Sequence, residues 1–341
     1  MNVKMIYVEI TNQCNLNCRT CYNRSGLNRE RKEISKMQLE TMIEKFLPYG
    51  LRRVILSGGE PTLHTAFHDV LGLVDQYPDL SFGVVTNGTN PDGTLIEMLN
   101  TRKNLTLQVS LDGSCEKQNE KTRGKGNFEK ALSFAQQVHR PDSTPLLKMV
   151  ISQQNYDDIE SFYQLAVSLG FLPEFAFIYK SGNGSEKWED KSLSPQQKIK
   201  ALNLIERLNK EFDTKAFLPL CSMKCPYIDG TNGLSLCVKT DGSIQPCQTL
   251  YDSRYSMGNI FHLDMDFIEE NAQEMVQLAQ QRMRCDYGCD RCLLEEGCSR
   301  GCMAAAVTLH GDPLQEDGDC EYRKLIFLKQ SLSKMKKDLI P

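Results

Sequence analysis

The chain has 341 residues, 40% hydrophobic and 25% charged, with a net charge of -4. This is a globular balance, long enough for a barrel plus an accessory domain around a large core. The mild acidity argues against a nucleic-acid partner, and no run reaches the roughly 18 apolar residues of a membrane span.

Met1-Asn2-Val3-Lys4 leads straight into an apolar run, with no separate secretory segment. A cytoplasmic protein is expected, and there fourteen cysteines favour metal over disulfides. Strands are predicted over Ile6–Ile10, Val54–Ser57, Phe82–Thr86, Leu105–Ser110, Leu146–Ile151 and Glu174–Tyr179. They are short apolar runs, as in a parallel sheet buried on both faces. Helices are predicted near Lys36–Leu47, Ala66–Gln76, Gly93–Asn100, Asn127–His139 and Tyr156–Leu169. Another spans Pro195–Phe212, opened by Ser194 as N-cap. Six β–α repeats imply a partial (β/α)6 TIM-like barrel of the α/β class, with its chemistry at the C-terminal strand ends.

Gly182-Asn183-Gly184-Ser185 reads as a loop closing the barrel portion. After about Leu218 helical periodicity fades and cysteine density rises. Leu234–Val238 and Ile244–Cys247 flank Asp241-Gly242, a hairpin signal. From Cys285 to Cys320 the chain reads mostly as loop organised by metal, and a last helix covers about Glu321–Lys336.

Strand one is followed by Cys14-x3-Cys18-x2-Cys21. Three thiolates in one loop can hold three irons of a four-iron cluster, leaving one iron open for chemistry. Zinc would need a fourth ligand, and no His lies near. Strand two is followed by Ser57-Gly58-Gly59-Glu60-Pro61, where glycines permit close backbone approach and Glu60 can accept from an ammonium group.

Together these motifs resemble the radical S-adenosylmethionine (SAM) superfamily. The resemblance implies that Cys14, Cys18 and Cys21 bind a 4Fe–4S cluster whose open iron chelates SAM. It implies SAM contacts for Gly58, Gly59 and Glu60, for Asn87 in Thr86-Asn87-Gly88, for Ser110 in Ser110-Leu111-Asp112-Gly113, and for Arg123. One position departs from the pattern: the residue before the third cysteine is usually aromatic, and here it is Thr20, with Tyr22 supplying a neighbouring ring.

The second block, Cys289-x2-Cys292-x5-Cys298-x3-Cys302 with Cys320 beyond, resembles the SPASM domain, as does Gly242-x4-Cys247. Such domains carry two auxiliary 4Fe–4S clusters, which makes three clusters in all. The resemblance implies Cys225, Cys247 and Cys302 at the nearer cluster, and Cys289, Cys292, Cys298 and Cys320 at the outer one. Cys237 is a candidate fourth ligand of the nearer cluster and Cys221 competes with it. The division implied is a barrel over 1–217, a SPASM domain over 218–320 and a C-terminal helix over 321–341. Cys285 reads as a spare, and Cys115 as a radical-relay thiol or a small apolar residue. His64 and His68, four apart, read as a solvated helix face rather than a metal pair.

The resemblance implies an oxidoreductase acting on a peptide or protein, foremost a maturase of ribosomally made peptides. Formylglycine formation as in anaerobic sulfatase maturases, or dehydrogenation of a sugar or cyclitol, are the alternatives. An acid usually follows the last hairpin cysteine in the sulfatase maturases, whereas Gln248 stands here. No leader-recognition extension precedes the first strand, so a separate recognition protein, another surface or a smaller substrate is expected, together with an electron donor such as flavodoxin or ferredoxin. A fully ligated ferredoxin-like carrier is disfavoured by the three-cysteine loop.

Overall fold

The structure is a computed structural model. It describes the chain except for residues 28–29, 141–142, 217–224, 263, 288, 290–291, 293, 295–297 and 339–341, and the side chains of 330–338. Six strands run parallel in chain order: β1 (Val3–Thr11), β2 (Arg53–Gly58), β3 (Ser81–Thr86), β4 (Leu105–Ser110), β5 (Leu146–Ile151) and β6 (Leu172–Phe177). Between them lie α1 (Lys36–Phe46), α2 (Phe67–Leu71), α3 (Leu73–Gln76), α4 (Gly93–Thr101), α5 (Glu116–Arg123), α6 (Phe128–Ala135) and α7 (Ile159–Ser168). Then follow α8 (Pro195–Glu211), β7 (Leu234–Val238), β8 (Ile244–Gln245), α9 (Met265–Met283), α10 (Met303–His310) and α11 (Cys320–Asp338).

Local chemistry sets these boundaries. Ser35 opens α1 with a capping box: its hydroxyl accepts from the Gln38 N–H at 3.2 Å and its own N–H donates to Oε1 of Gln38 at 2.9 Å. Leu39, Met42, Ile43 and Phe46 then recur at helical spacing on the buried face. Ser194 and Gln197 cap α8 in the same way, with Pro195 in the first turn. The expected helix over 66–76 breaks at Gly72, and that over 127–139 stops at Ala135.

Three helices were not expected. α5, Glu-Lys-Gln-Asn-Glu-Lys-Thr-Arg, has no apolar stripe and packs through buried Asn119 and Thr122. α9 spans 19 residues and buries a narrow face of Ile268, Ala272, Met275, Val276 and Ala279. That stripe is diluted by Glu, Gln and Asn, which masks its period. α10 falls inside the stretch read as loop, where three consecutive alanines favour helix.

The sheet order is β6-β5-β4-β3-β2-β1-β7-β8. β7 pairs parallel with β1, and β8 returns antiparallel across the Asp241-Gly242 turn, where Gly242 takes φ +83°. The cysteine-rich hairpin thus extends the same sheet as the barrel strands. β6 pairs with β5 alone, so the barrel stays open on that side. Among the described residues no helix is long and apolar enough to cross a membrane.

Candidate functional site

The first cysteine loop leaves β1 at Thr11 and lies against the end of β2. The Gly59 N–H donates to the Thr11 carbonyl and the Glu60 N–H to that of Gln13, both at 2.7 Å. A Cβ on Gly58 would stand 2.1 Å from the Thr11 oxygen, and one on Gly59 2.0 Å from that of Gln13. The two glycines therefore serve the close approach of the cysteine loop itself. On the far side the Arg19 N–H donates to the Thr122 carbonyl at 2.7 Å, joining the loop to the end of α5.

Cys14, Cys18 and Cys21 share one electrostatic neighbourhood, each partly buried. Burial pushes the Cys14 thiol up to about 12, with Glu60 and the other two thiols adding to it. Burial pushes Cys18 up to about 11, opposed by the Arg123 guanidinium. Free thiolates are disfavoured here, so cationic irons suit a donor set made only of soft sulfur. Among the described residues no three His, Cys, Asp or Glu side chains close on the centre of a single metal ion.

Glu60, expected to face an ammonium group, accepts from several protein donors. Its Oε1 accepts from the Thr86 hydroxyl at 2.6 Å, the Thr62 hydroxyl at 2.8 Å and the Thr62 N–H at 3.3 Å. Its Oε2 accepts from the Asn87 N–H at 2.7 Å, and the side chain is 1% exposed. It fixes the end of β3 against the glycine segment. Asn87 is held over the loop by donating to Oδ1 of Asn15 at 2.9 Å, with its amide 4.0 Å from the Cys14 sulfur. Ser110 ends β4, half-buried. Two residues on, buried Asp112 accepts from Thr122 at 3.0 Å and Thr20 at 3.3 Å, and pairs with Nε of Arg123 at 3.1 Å. Asp112 thereby aims the cation at the loop. Thr20, at the usually aromatic position, belongs to this network.

The C-terminal cysteines fall into two groups. Burial, then neighbouring Cys247, pushes Cys302 up to about 12, with Cys225 also acting on it. The Tyr179 hydroxyl lies 3.7 Å from the Cys302 sulfur. Cys289, Cys292, Cys298 and Cys320 line a cavity of about 310 Å3 together with Arg300 and Arg323. Asp317 connects the groups: it binds Arg323 through both oxygens at 2.6 and 2.7 Å and accepts the Cys302 N–H at 2.9 Å.

Cys237 is fully buried on β7, 3.7 Å from the Tyr251 hydroxyl, and faces Glu9 before Cys247. Tyr251 donates to Glu9, its ring meets that of Tyr22 at 5.6 Å, and Lys239 lies over it at 4.1 Å. Cys221 falls outside the described residues. Cys115 is exposed at the start of α5, and Cys285 lies 3.6 Å from the Gln281 carbonyl. His64 is not on a solvated helix face: it is buried, with Nε2 2.9 Å from the Ile34 carbonyl and Nδ1 accepting from Ala66. Asp112, Glu9 and Tyr251 escaped the sequence reading because nothing in their spacing marks a partner so far along the chain.

Residues 8–166 match the profile of the Radical SAM superfamily. The chain carries a radical SAM domain. Over 311 residues it is 26% identical to the mycofactocin maturase MftC of Mycolicibacterium smegmatis, covering 87% of this chain and 77% of that one. Over 352 residues it is 26% identical to the AdoMet-dependent heme synthase of Methanosarcina barkeri, covering 94% and 97%. The solved structure of anSMEcpe with bound AdoMet and Cp18Cys peptide matches 95% of each chain with a TM-score of 0.73 at 20% identity, a likeness of fold. The parallel α/β sheet matches the fold of that structure, and the cysteine-rich region after it is consistent with a SPASM domain.

Proposed function

We propose that the protein is a radical SAM maturase of a ribosomally made peptide. The carrying observation is the three-thiol loop packed on Gly58–Gly59 beside half-buried Arg123, with a cysteine-bearing hairpin, β7–β8, extending the same sheet and two further thiol groups following it. Cys14, Cys18 and Cys21 would hold a 4Fe–4S cluster, Cys225, Cys247 and Cys302 a second, and Cys289, Cys292, Cys298 and Cys320 a third. Cys237 or Cys221 would complete the second. A reduced cluster held by Cys14, Cys18 and Cys21 would, with SAM, supply the radical chemistry for hydrogen-atom abstraction from the substrate. Arg123 would present its guanidinium to the SAM carboxylate, held in aim by Asp112. Backbone groups of Gly58 and Gly59, with Asn87 and Ser110, would line the remaining polar face. The name of the MftC relative supports peptide maturation.

Gln248 cannot take up a proton as a carboxylate does, which leaves formylglycine chemistry the weaker option. The M. barkeri relative favours a second reading, in which the substrate is a tetrapyrrole or another small molecule. Peptides encoded beside the gene should change mass on anaerobic incubation with reconstituted enzyme, SAM and reductant. A mass change in an iron porphyrin, with every such peptide untouched, would select the second reading.

A further inference from the structure

The segment after β6 crosses the open side of the barrel to reach the cysteine loop after β1, although β6 and β1 are not paired. Four carbonyls of that loop accept from it. The Asn183 N–H donates to Cys21 at 2.8 Å, the Asn183 side-chain amide to Cys18 at 2.9 Å, Lys191 to Arg19 at 3.0 Å, and the Ser181 hydroxyl to Tyr22 at 3.0 Å. The Asn183 amide also donates to Oδ1 of Asn17 at 2.9 Å. Lys191 returns to the Asn183 carbonyl at 2.7 Å, tying the segment to itself. Asn183 is 9% exposed and Lys191 7%. A Cβ on Gly182, which has φ +55°, would stand 2.4 Å from both the Cys21 and Tyr22 oxygens.

We propose that residues 181–191 form a strap that sets the geometry of the first cysteine loop, with Asn183 and Lys191 as positioning residues. The loop is short, irregular and rich in carbonyls that need donors. The end of β2 grips its first half at Thr11 and Gln13, and the strap grips its second half from Asn17 to Tyr22. Cys18 and Cys21 lie in that second half, so their sulfur directions follow the strap. An outer shell of this kind tunes a metal site without touching the metal. A sidedness follows: loss of the strap should disturb SAM binding at the first cluster and leave the C-terminal thiol groups loaded.

This inference rests on the first cluster proposed above, and the test separates the two. Asn183→Asp keeps the shape and removes both side-chain donors. Lys191→Met removes the ammonium, and Lys191→Arg retains a cation. Each full-length variant is reconstituted anaerobically. Total iron, the SAM dissociation constant and the SAM-induced change in the electron paramagnetic resonance spectrum of the reduced protein are then read. Asn183→Asp and Lys191→Met should weaken SAM binding about 10- to 100-fold and alter the SAM-dependent signal, with signals insensitive to SAM retained. Lys191→Arg should restore most of the affinity. SAM binding and spectrum within about twofold of the parent in both disrupting variants would overturn the strap. A parent that shows no SAM-dependent signal would overturn the cluster reading first, and the strap with it. If Asn183→Asp fails to fold, the Lys191 pair decides alone.

Discussion

At the scale of single residues, what is readable in a sequence depends on where the partner lies. Cys14, Cys18 and Cys21 stand out because all three thiols sit in one loop. Glu60 stands out as well, but its partners do not: Thr62 is local, whereas Thr86 and Asn87 come from the end of another strand. The motif therefore does not reveal that protein donors already meet both Glu60 oxygens. Glu60→Gln tests the structural role. An amide in place of Oε2 would set an N–H against the Asn87 N–H, leaving a buried donor unmatched at a cost of about 1–3 kcal/mol. A lower melting temperature in the cluster-free protein is expected, since the fault lies in the polypeptide. An unchanged melt would mean that the Glu60 carboxylate is not needed to hold β3.

At the scale of elements, strands and capped helices were legible where local chemistry agrees with the fold. β4 and β5 have the expected limits because apolar runs end at polar or breaking residues. α5 and α9 were not legible, because each buries a face that is polar or thin. Connections between elements were hidden too, and Glu33 is one. It accepts from the Thr65 hydroxyl and N–H, from Arg31 at 2.6 Å and from Thr11 at 3.3 Å, joining the loop before α1 to β1 and to the segment before α2. Burial alone would raise its pKa, but the Thr65 and Arg31 contacts outweigh burial and hold it below the usual carboxylate range. A depressed folded-state value means that this stability is complete above the unfolded value of about 4.3 and is lost as pH falls through the folded one. Urea unfolding between neutral and acid pH should therefore show a smaller acid loss in Glu33→Gln than in the parent. Equal losses would remove the linkage.

At the scale of the molecule, one sheet joins the first cysteine loop to the cysteine-bearing hairpin, and one buried ion pair joins the two C-terminal thiol groups. Asp317 holds Arg323 beside the outer cavity and the Cys302 N–H beside the other group. Asp317→Asn takes from the buried Arg323 guanidinium the carboxylate that binds it through both oxygens, a change that costs about 3–5 kcal/mol. Iron should be lost together from both C-terminal groups, which iron analysis with spectroscopy would show. Loss from one alone would mean that they assemble independently. The pairing of β1 with β7 joins Val3–Thr11 to Leu234–Val238. On a ribosome, the strand that leads into the first cysteine loop emerges well before residues 234–238, and until they are made one of its hydrogen-bonding edges lacks its neighbour. Throughout that interval a nascent chain carries an open strand edge and exposed thiols together, a state prone to edge-to-edge aggregation. The long wait for a sheet neighbour is the biosynthetic consequence of that one strand order.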